Sequence, residues 1–405
     1  MTPENYLAKL VSLPELQLIL ADGRSRPGWL ILSFKSISQF RACPHCAEIT
    51  YSTYDHRWMR CLDVPLRDKK VEMRIYKKRY WCCRCQKAFT ESLHGIFKGC
   101  RLTERLRRNI LWCCSRFQSL SAVANAMGCS DSSVRRSFYA HLNIHYKRHL
   151  SYGFPKKLGI DEHFFGMRKN PDFPGILEQK YHTTLVDLKA HRLYRVLQEK
   201  DQQSIFNQLK DEAGAQNVED VVMDMSEGNR NVAHALFPQA RITVDPFHVL
   251  KLLHRPLNHE RHKVIGRMKK KNPMARLLLK SGKDLEVTVR WDLQRFLKSY
   301  PKLKLIYEAK ERLHRLYRCR GRKWAEMSLE HLLRDLDSQS SIAPLKTLAK
   351  TLRNWKEEIL NHFDSKLTNA MTEGFNNKIK LIKRMAYGFR NPEIYNLRIL
   401  YACYH

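Results

Sequence analysis

The order of predicted strands and helices between residues 157 and 249 constrains the fold of this chain more than any other feature. From Lys157 onward, apolar residues recur at every second position, which is the period of a half-buried strand. The pattern predicts strands at 158–162, 180–187 and 191–197, a helix near 201–212, a strand at 221–224, a helix near 232–236 and a strand at 241–244. Three hairpin-connected strands followed by alternating helices and strands are the order expected of a ribonuclease H-like α/β core.

Two pairs of cysteines lie upstream of this core. They form the motifs Cys43-Pro-His-Cys46 and Cys82-Cys-Arg-Cys85, which are separated by a strand-rich spacer. Each such turn directs two thiolates at one ion, so the spacing predicts a zinc ribbon with a structural Zn²⁺. Cys83 competes with Cys82 as a ligand, and the two-residue gap before Cys85 favours Cys82. The alternative is a set of incidental buried thiols.

The spacer ends in a strand pattern, residues 71–81, in which cations stand beside aromatic residues. We predict that this strand contacts DNA phosphates through Arg74, Lys77, Lys78 and Arg79. A plain solvated strand is the competing interpretation.

Residues 120–139 predict a short helix, a turn at Gly128, a cap at Ser130 or Asp131 and a second helix that carries Arg135 and Arg136. This is a helix-turn-helix pattern, with an ordinary helical hairpin as the alternative.

The rest of the chain completes a multidomain α/β organisation. Residues 6–20 predict a helix interrupted by Pro14, and 29–34 predict a strand. Residues 251–362 are rich in Leu, Lys and Arg and predict an all-helical insertion. The predicted domains are an N-terminal segment 1–40, the zinc ribbon 41–100, the helix-turn-helix 101–150, the first part of the core 151–250, the insertion 251–362 and the final core helices 363–405.

The charge balance indicates a polyanionic partner. The 405 residues contain 73 Lys and Arg against 40 Asp and Glu, which gives a formal charge of +33. The chain has no apolar run of roughly 18 residues and no signal-peptide pattern, so we expect neither a membrane partner nor export. Nucleic acid in the cytoplasm is therefore the expected partner, ahead of anionic lipid.

Three carboxylates stand out against this basic background. Asp161 and Asp224 each follow an apolar strand pattern, where side chains project from the edge of an open α/β sheet. Glu373 is the single acid of a basic helical stretch, on the same ridge as Asn377, Lys380 and Arg384. Repulsion among three clustered acids would be severe without metal. Two Mg²⁺ ions, for which Mn²⁺ can substitute, would relieve it and supply phosphodiester chemistry.

Neighbouring residues compete for roles at this site. Glu162 alternates onto the opposite face of its strand from Asp161. Asp245 follows the next strand, and the pattern leaves it as an alternative metal ligand or as a residue that orients one. His248 is able to hydrogen-bond a ligand, although a structural role is the alternative. Asn377 is a candidate contact to metal or phosphate, while Lys380 and Arg384 are expected to hold backbone phosphates.

The motifs together resemble a known family. GIDE around Asp161, VVMDMS around Asp224, VDPFHVLK at 244–251 and TEGFNNKIKLIKRMAYGFRN at 372–391 are similar to motifs of the DDE transposases of bacterial insertion sequences, and more narrowly of the ISL-three family. The resemblance covers essentially the whole chain. It implies that Asp161, Asp224 and Glu373 form the catalytic triad, with the insertion between the second and third acids.

The resemblance, together with the acids of the core, implies a transposase that binds double-stranded DNA at the terminal inverted repeats of its own element, in the bacterial cytoplasm in association with the nucleoid. It would cleave the ends and join them to target DNA in a metal-dependent reaction, acting as a homo-oligomer of at least two copies. The alternative is a catalytically inactive zinc-ribbon DNA-binding regulator, which would leave the acids of the core without a purpose.

Overall fold

The computed structural model describes residues 13, 15–97, 99–116, 119–150, 152–169, 173, 175–266, 273–386, 388–389 and 391–404. The chain is mixed α/β and divides into two compact units. One lies within Met1–His149 and Leu381–Ala402, and the other within Leu150–Lys380 and Cys403–His405. No helix of the described ranges has the length and apolar character needed to cross a membrane.

The strands and helices are numbered here in chain order. The strands are β1 Leu16–Asp22, β2 Trp29–Ser36, β3 Arg41–Ala42, β4 Ile49–Thr50, β5 Thr53–Leu66, β6 Lys69–Cys82, β7 Lys87–Thr90, β8 Lys157–Lys169, β9 Leu177–Asp187, β10 Arg192–Gln198, β11 Asp220–Met223 and β12 Arg241–Val244. The helices are α1 Glu104–Ser115, α2 Leu120–Met127, α3 Asp131–Leu150, α4 Gln202–Leu209, α5 Glu227–Leu236, α6 Pro246–Lys251, α7 His254–Ile265, α8 Pro273–Leu279, α9 Val287–Lys298, α10 Pro301–Leu316, α11 Arg322–Ser338, α12 Ala343–Asn354, α13 Lys356–Leu360, α14 His362–Ser365, α15 Ala370–Met385 and α16 Pro392–Tyr404.

The first unit contains a five-stranded sheet in the order β1-β2-β6-β5, with β7 paired to β6. Strand β2 runs parallel to β6, and the other pairs are antiparallel. One face of the sheet buries Leu32, Phe34, Met73 and Ile75. Strands from both sides of the predicted boundary at residue 40 therefore share one sheet.

The predicted helix over 6–20 is wrong where the structure describes it. Strand β1 begins at Leu16, and Leu16 and Leu18 alternate into the core while they pair with β2. The sequence window mixed helical and strand periods around Pro14, and tertiary pairing selected the strand. Residues 6–12 and 14 lie outside the described residues. The predicted strand over 29–34 is confirmed by β2.

Helices α1, α2 and α3 form a second core in the first unit. Leu106, Ile110, Val123 and Phe138 are buried there, and Tyr401 of α16 packs against them. The predicted turn at Gly128 is confirmed: α2 ends there with a left-handed φ of 69°, a conformation that glycine adopts at low cost. A Cβ at this position would also lie 2.8 Å from side-chain atoms of Trp29 and Lys70.

The start of α3 resolves the alternative between two capping residues. The hydroxyl of Ser130 accepts a hydrogen bond from the backbone N–H of Ser133 at 3.2 Å, whereas Asp131 is the first helical residue. Ser130 is therefore the cap. Arg135 and Arg136 follow on the exposed side of α3.

The second unit is built on a five-stranded sheet in the order β10-β9-β8-β11-β12. Strands β8, β9 and β10 form antiparallel pairs, and β11 runs parallel to β8 on one side and to β12 on the other. Leu158, Val221 and Met223 are fully buried between the sheet and its helices. All five predicted strands of this region are confirmed, although β8 and β9 extend further than the sequence pattern indicated.

The parallel register aligns one residue from each of the strands β8, β11 and β12. Met223 of β11 pairs with Ile160 of β8 and with Val244 of β12. The residue that follows each of these three therefore lies at the same edge of the sheet. Strand β8 does not end there, because its antiparallel pairing with β9 continues to Lys169.

Helix α15 packs against this part of the sheet at Gly159. A Cβ at Gly159 would lie 2.4 Å from Oγ1 of Thr372 and 3.3 Å from Oδ1 of Asn369. Glycine permits this approach, because a Cβ here would force the Thr372 side chain or the helix to shift. Asn369 is 2% exposed and donates a hydrogen bond of 3.0 Å to the backbone carbonyl of Ile160.

The described residues between 251 and 362 contain helices and no strand, as the sequence predicted. Buried leucines such as Leu313 and Leu329 hold α10 and α11 in the core of the second unit. Lys310 is fully buried, and its ammonium donates to the carbonyl of Leu278 at 3.0 Å and contacts Glu311 at 2.7 Å. These partners compensate the buried ammonium group, and the bond to the Leu278 carbonyl connects α8 with α10.

Candidate active site and metal centres

Asp161, Asp224 and Asp245 come together at the sheet edge because the residues that precede them, Ile160, Met223 and Val244, are paired with one another across the three strands. Burial, followed by repulsion from Asp161, raises the pKa of Asp224 to about 7. Burial also raises the pKa of Asp161. Two half-buried carboxyls that each resist ionisation are a common feature of functional sites, because a bound cation removes the repulsion.

His248 joins this group from the first turns after β12. Its Nε2 lies 3.0 Å from Oδ1 of Asp224. Ligand atoms of Asp224, Asp245 and His248 all lie within 4.8 Å of one another. The structure therefore places Asp245 and His248 at the site, two residues whose roles the sequence left open.

Asn369, immediately before α15, and Asn376, within it, donate to the two aspartates. Nδ2 of Asn376 donates to Oδ2 of Asp161 at 2.8 Å, and Nδ2 of Asn369 donates to Oδ1 of Asp224 at 3.4 Å. Asn369 directly precedes α15 and Asn376 comes seven residues, about two helical turns, later, so both are on the side of the helix that faces the aspartates. Helix α15 is thereby fixed against both strands that carry the acids.

A buried chain of hydrogen bonds continues behind Asn376. The hydroxyl of Thr184 donates to Oδ1 of Asn376 at 2.7 Å. Since that hydroxyl has one proton, it accepts from Nδ1 of His163, which lies 2.8 Å away. Asn376, Thr184 and His163 are each at most 2% exposed. Every donor in the chain therefore points toward Asp161.

Glu373 lies on the same helix, four residues after Asn369 and three before Asn376, and its backbone N–H donates to the Asn369 carbonyl at 3.0 Å. Its Cα is therefore on the side of α15 that faces the aspartates. Its side chain is exposed, and its carboxylate is not in the Asp224, Asp245 and His248 cluster. The structure brings Asp161 and Asp224 together and places Glu373 on the adjoining helix.

A cavity of about 430 Å³ opens beside these groups. Its lining includes Asp161, Glu162, Asp224 and His248. Glu162, which strand alternation predicts on the opposite face of β8 from Asp161, also lines this cavity. Burial raises the pKa of Glu162, and Lys200 lies 3.8 Å from its carboxylate.

These donors fit a hard divalent cation. Mg²⁺ is bound in proteins mainly by one or two carboxylates and retains water, which the open cavity permits. The clustered acids with raised pKa values are the electrostatic counterpart of such a cation.

The four cysteines form a second cluster, in the first unit. Sγ of Cys43 lies 3.5 Å from Sγ of Cys85, and Sγ of Cys46 lies 3.5 Å from Sγ of Cys82. Four thiolates at ~2.3 Å from a tetrahedral Zn²⁺ would be ~3.8 Å apart, so the cluster fits that ion. Cys83 is exposed and is not part of the cluster. Geometry therefore selects Cys82, as the spacing favoured.

The residues after each cysteine pair explain how the turns direct the thiols. Ala47 and Gln86, which directly follow the second cysteine of each motif, have φ of 61° and 51°. The backbone thereby reverses so that both sulfurs of a motif point to the same side. Tyr80 and Phe89 pack against the cluster and cover it from solvent.

The predicted DNA-contacting cations differ in their surroundings. Arg135, Arg136, Lys380 and Arg384 are exposed. The cations of β6 are partly engaged: Arg74 contacts Glu72 at 2.9 Å, Arg79 contacts Asp55 at 2.8 Å, and Lys78 donates to the carbonyl of Ser38 at 2.7 Å. Burial lowers the pKa of Lys77.

Asn369 and Asn376 are the site residues that sequence reasoning missed. The sequence singled out Asn377, which is exposed, whereas its neighbour Asn376 contacts Asp161. The available signal was the spacing of Thr372, Asn376 and Ile379, which places polar residues on the buried stripe of α15.

Comparison with known proteins agrees with this geometry. The family of ISL3-type DDE transposases, described as "Transposase", matches residues 158–399. A transposase for insertion sequence element IS1001 from Bordetella parapertussis is 27% identical over 384 residues, which cover 91% of this chain and 90% of that protein. The family match spans more than half of the 405 residues and includes the acids at the sheet edge and α15. The chain therefore belongs to the ISL3 family of transposases.

Proposed function

We propose that this transposase binds the terminal inverted repeats of its insertion sequence and catalyses metal-dependent DNA cleavage and strand transfer. The observation that carries the proposal is the side-by-side placement of Asp161 and Asp224 at one sheet edge, with raised pKa values and with hydrogen bonds to the helix of Glu373.

The strand order supports a ribonuclease H-like core. Three antiparallel strands followed by two parallel strands, in the order β10-β9-β8-β11-β12, place the first and fourth strands of the core side by side. Acids at the carboxyl edge of those two strands then face the same solvent cleft. The helices between residues 251 and 362 take the role of an insertion that precedes the last acid.

The catalytic residues are Asp161, Asp224 and Glu373, which would hold two Mg²⁺ ions. When bound, such a pair would activate water or a DNA 3′-hydroxyl and stabilise the leaving oxygen. Asp245 and His248 act on Asp224, since His248 lies 3.0 Å from its Oδ1. Asn369 and Asn376 hold the two aspartates in place relative to α15.

The first unit supplies DNA binding in this proposal. Cys43, Cys46, Cys82 and Cys85 bind a structural Zn²⁺, and α2 and α3 form a helix-turn-helix whose Arg135 and Arg136 reach the DNA. Arg74, Lys77, Lys78 and Arg79 of β6, together with Lys380 and Arg384, contact backbone phosphates. A homo-oligomer of at least two copies would hold the two ends of the element.

The test uses labelled DNA that carries an inverted repeat, with and without Mg²⁺. Single changes Asp161→Ala, Asp224→Ala and Glu373→Ala should abolish cleavage and strand joining but leave end binding intact, because removing an acid does not weaken the attraction to phosphate. Asp211→Ala, at an exposed acid, is the matched control. Full cleavage by the Glu373→Ala protein would remove Glu373 from the triad.

The same assay addresses the inactive regulator, which the family match does not favour. A regulator would bind the repeat and never nick it, whether or not Mg²⁺ is present. A nuclease with the same core would cleave the ends without joining the 3′-hydroxyl to a target.

A further inference from the structure

The outward face of the β5–β6 hairpin carries alternating pairs of cations and aromatic rings. Cross-strand pairing places these residues directly opposite each other: Arg60 and Arg74, then Trp58 and Tyr76, then His56 and Lys78. Successive pairs are two residues apart along each strand, so their side chains point to the same face.

The rings of this row contact one another. The rings of His56 and Tyr76 stack with centroids 4.9 Å apart and planes 5° apart. The ring of Trp58 lies 4.9 Å from that of Tyr76. We call His56, Trp58 and Tyr76 the aromatic row. Mutual stacking fixes the orientation of its rings before any ligand arrives.

The aromatic row is exposed although it is large and apolar. Trp58 is 60% exposed, and Tyr76 is 36% exposed. The hairpin does not need this face for its own core, because Cys61, Met73 and Ile75 are buried on the other face. A flat aromatic surface on the solvent side of a stable sheet is a feature of binding sites.

The charge around the row selects the class of partner. The hairpin, residues 53–82, contains nine Lys and Arg and four Asp and Glu. Arg60 and Arg74 flank Trp58 and Tyr76 on one side, and Lys78 pairs with His56 on the other. A partner must therefore carry negative charge and offer flat surfaces for stacking.

We propose that the aromatic row is a binding platform for unpaired nucleotides of single-stranded DNA. In a duplex, the faces of the bases are stacked on each other and only base edges and phosphates are accessible, so exposed rings gain little. Unpaired bases present their faces, and they stack on aromatic side chains while neighbouring cations bind the phosphates. The proposal concerns the first unit alone and does not depend on the catalytic triad.

Binding of the full-length chain to labelled oligothymidylate, to an abasic oligonucleotide of the same length and to a duplex tests the proposal in Mg²⁺-free buffer. The wild-type protein should bind oligothymidylate more tightly than the abasic strand, because both offer phosphates and only one offers bases. Trp58→Ala should weaken oligothymidylate binding by about tenfold, the change expected for one lost base stack. The same change should leave abasic and duplex binding within about twofold.

Two variants serve as controls. Trp58→Phe keeps a stacking ring and should retain most of the affinity for oligothymidylate. Trp291→Ala removes a tryptophan that is 66% exposed on α9, and it should have no effect. Equal wild-type affinity for the thymidylate and abasic strands would overturn the proposal. So would an equal loss of single-strand and duplex binding in Trp58→Ala, which would make the row a duplex contact, or no loss at all.

Discussion

The side-chain amide of Asn376 donates a hydrogen bond of 2.8 Å to Oδ2 of Asp161, across more than two hundred residues of sequence. Behind it, Thr184 and His163 complete a buried chain in which every donor points toward the carboxylate. In the proposed active site, Asn376 would therefore position Asp161 without itself being a metal ligand.

The first prediction concerns this positioning role. Asn376→Ala should slow cleavage of inverted-repeat DNA by about 10- to 100-fold, the usual cost of removing a group that orients a metal ligand. The Mg²⁺ concentration at half-maximal activity should rise as well, which a purely structural defect would not produce. Asn377→Ala changes the exposed neighbour and should behave as the wild type. Unchanged Mg²⁺ dependence in Asn376→Ala would contradict the role.

The second prediction concerns the pH dependence of stability without divalent metal. The pKa of Asp224 is raised from 3.8 to about 7, mainly by burial. A raised carboxyl pKa stabilises the folded state at low pH, and this contribution is lost as the pH rises through about 7. Asp224→Asn should therefore be more stable than the wild type at pH 8 by about 1–3 kcal/mol, and the difference should vanish near pH 4.

Thermal unfolding followed by circular dichroism measures this difference. Adding Mg²⁺ at pH 8 should raise the melting temperature of the wild type by a few degrees and that of Asp224→Asn by less, because the cation relieves the same repulsion. Asp211→Asn, at an exposed site, controls for net charge. A wild type and Asp224→Asn that melt together at pH 8 without Mg²⁺ would refute this account.

The third prediction concerns the contact of α15 with β8. Gly159→Ala would place a Cβ 2.4 Å from Oγ1 of Thr372, so we expect a loss of about 1–3 kcal/mol and a displaced helix. Oγ1 of Thr372 is buried without a hydrogen-bond partner among the described residues, so Thr372→Ala removes no stabilising bond. The double variant Gly159→Ala/Thr372→Ala should regain much of the lost stability and activity. Gly228→Ala, where the nearest atom is 3.9 Å away, is the control.

The fourth prediction separates the two adjacent cysteines. Cys82→Ser should lower the zinc content of the purified protein and destabilise the first unit, because Cys82 belongs to the four-sulfur cluster. Cys83→Ser should keep one Zn²⁺ per chain, because Cys83 is exposed and outside the cluster. Elemental analysis of both proteins distinguishes them. Retention of full zinc by Cys82→Ser would show that the cluster is not the zinc site.

The sequence by itself determined several strands of the core, the cysteine cluster and the family. Short apolar runs such as 221–224 and 241–244 correspond to strands within one residue, because an apolar run between turn signals leaves few alternatives. The spacing of the cysteines indicated the sulfur cluster, because each local turn fixes two ligands at once. The long motifs near Asp161, Asp224 and Glu373 indicated the family that the comparisons show.

Tertiary structure decided which side chains meet. The segment that begins at Leu16 became a strand only because β2 lies beside it. Asp161, Asp224 and Asp245 lie side by side because of the register between their strands, and the local periodicity of each strand does not predict that register. The contact of Asn376 with Asp161 needs a glycine in a distant strand so that α15 can approach. Local patterns specify periodicity and turn geometry, whereas a site assembled from separate strands and a helix is fixed only when their packing sets the distances.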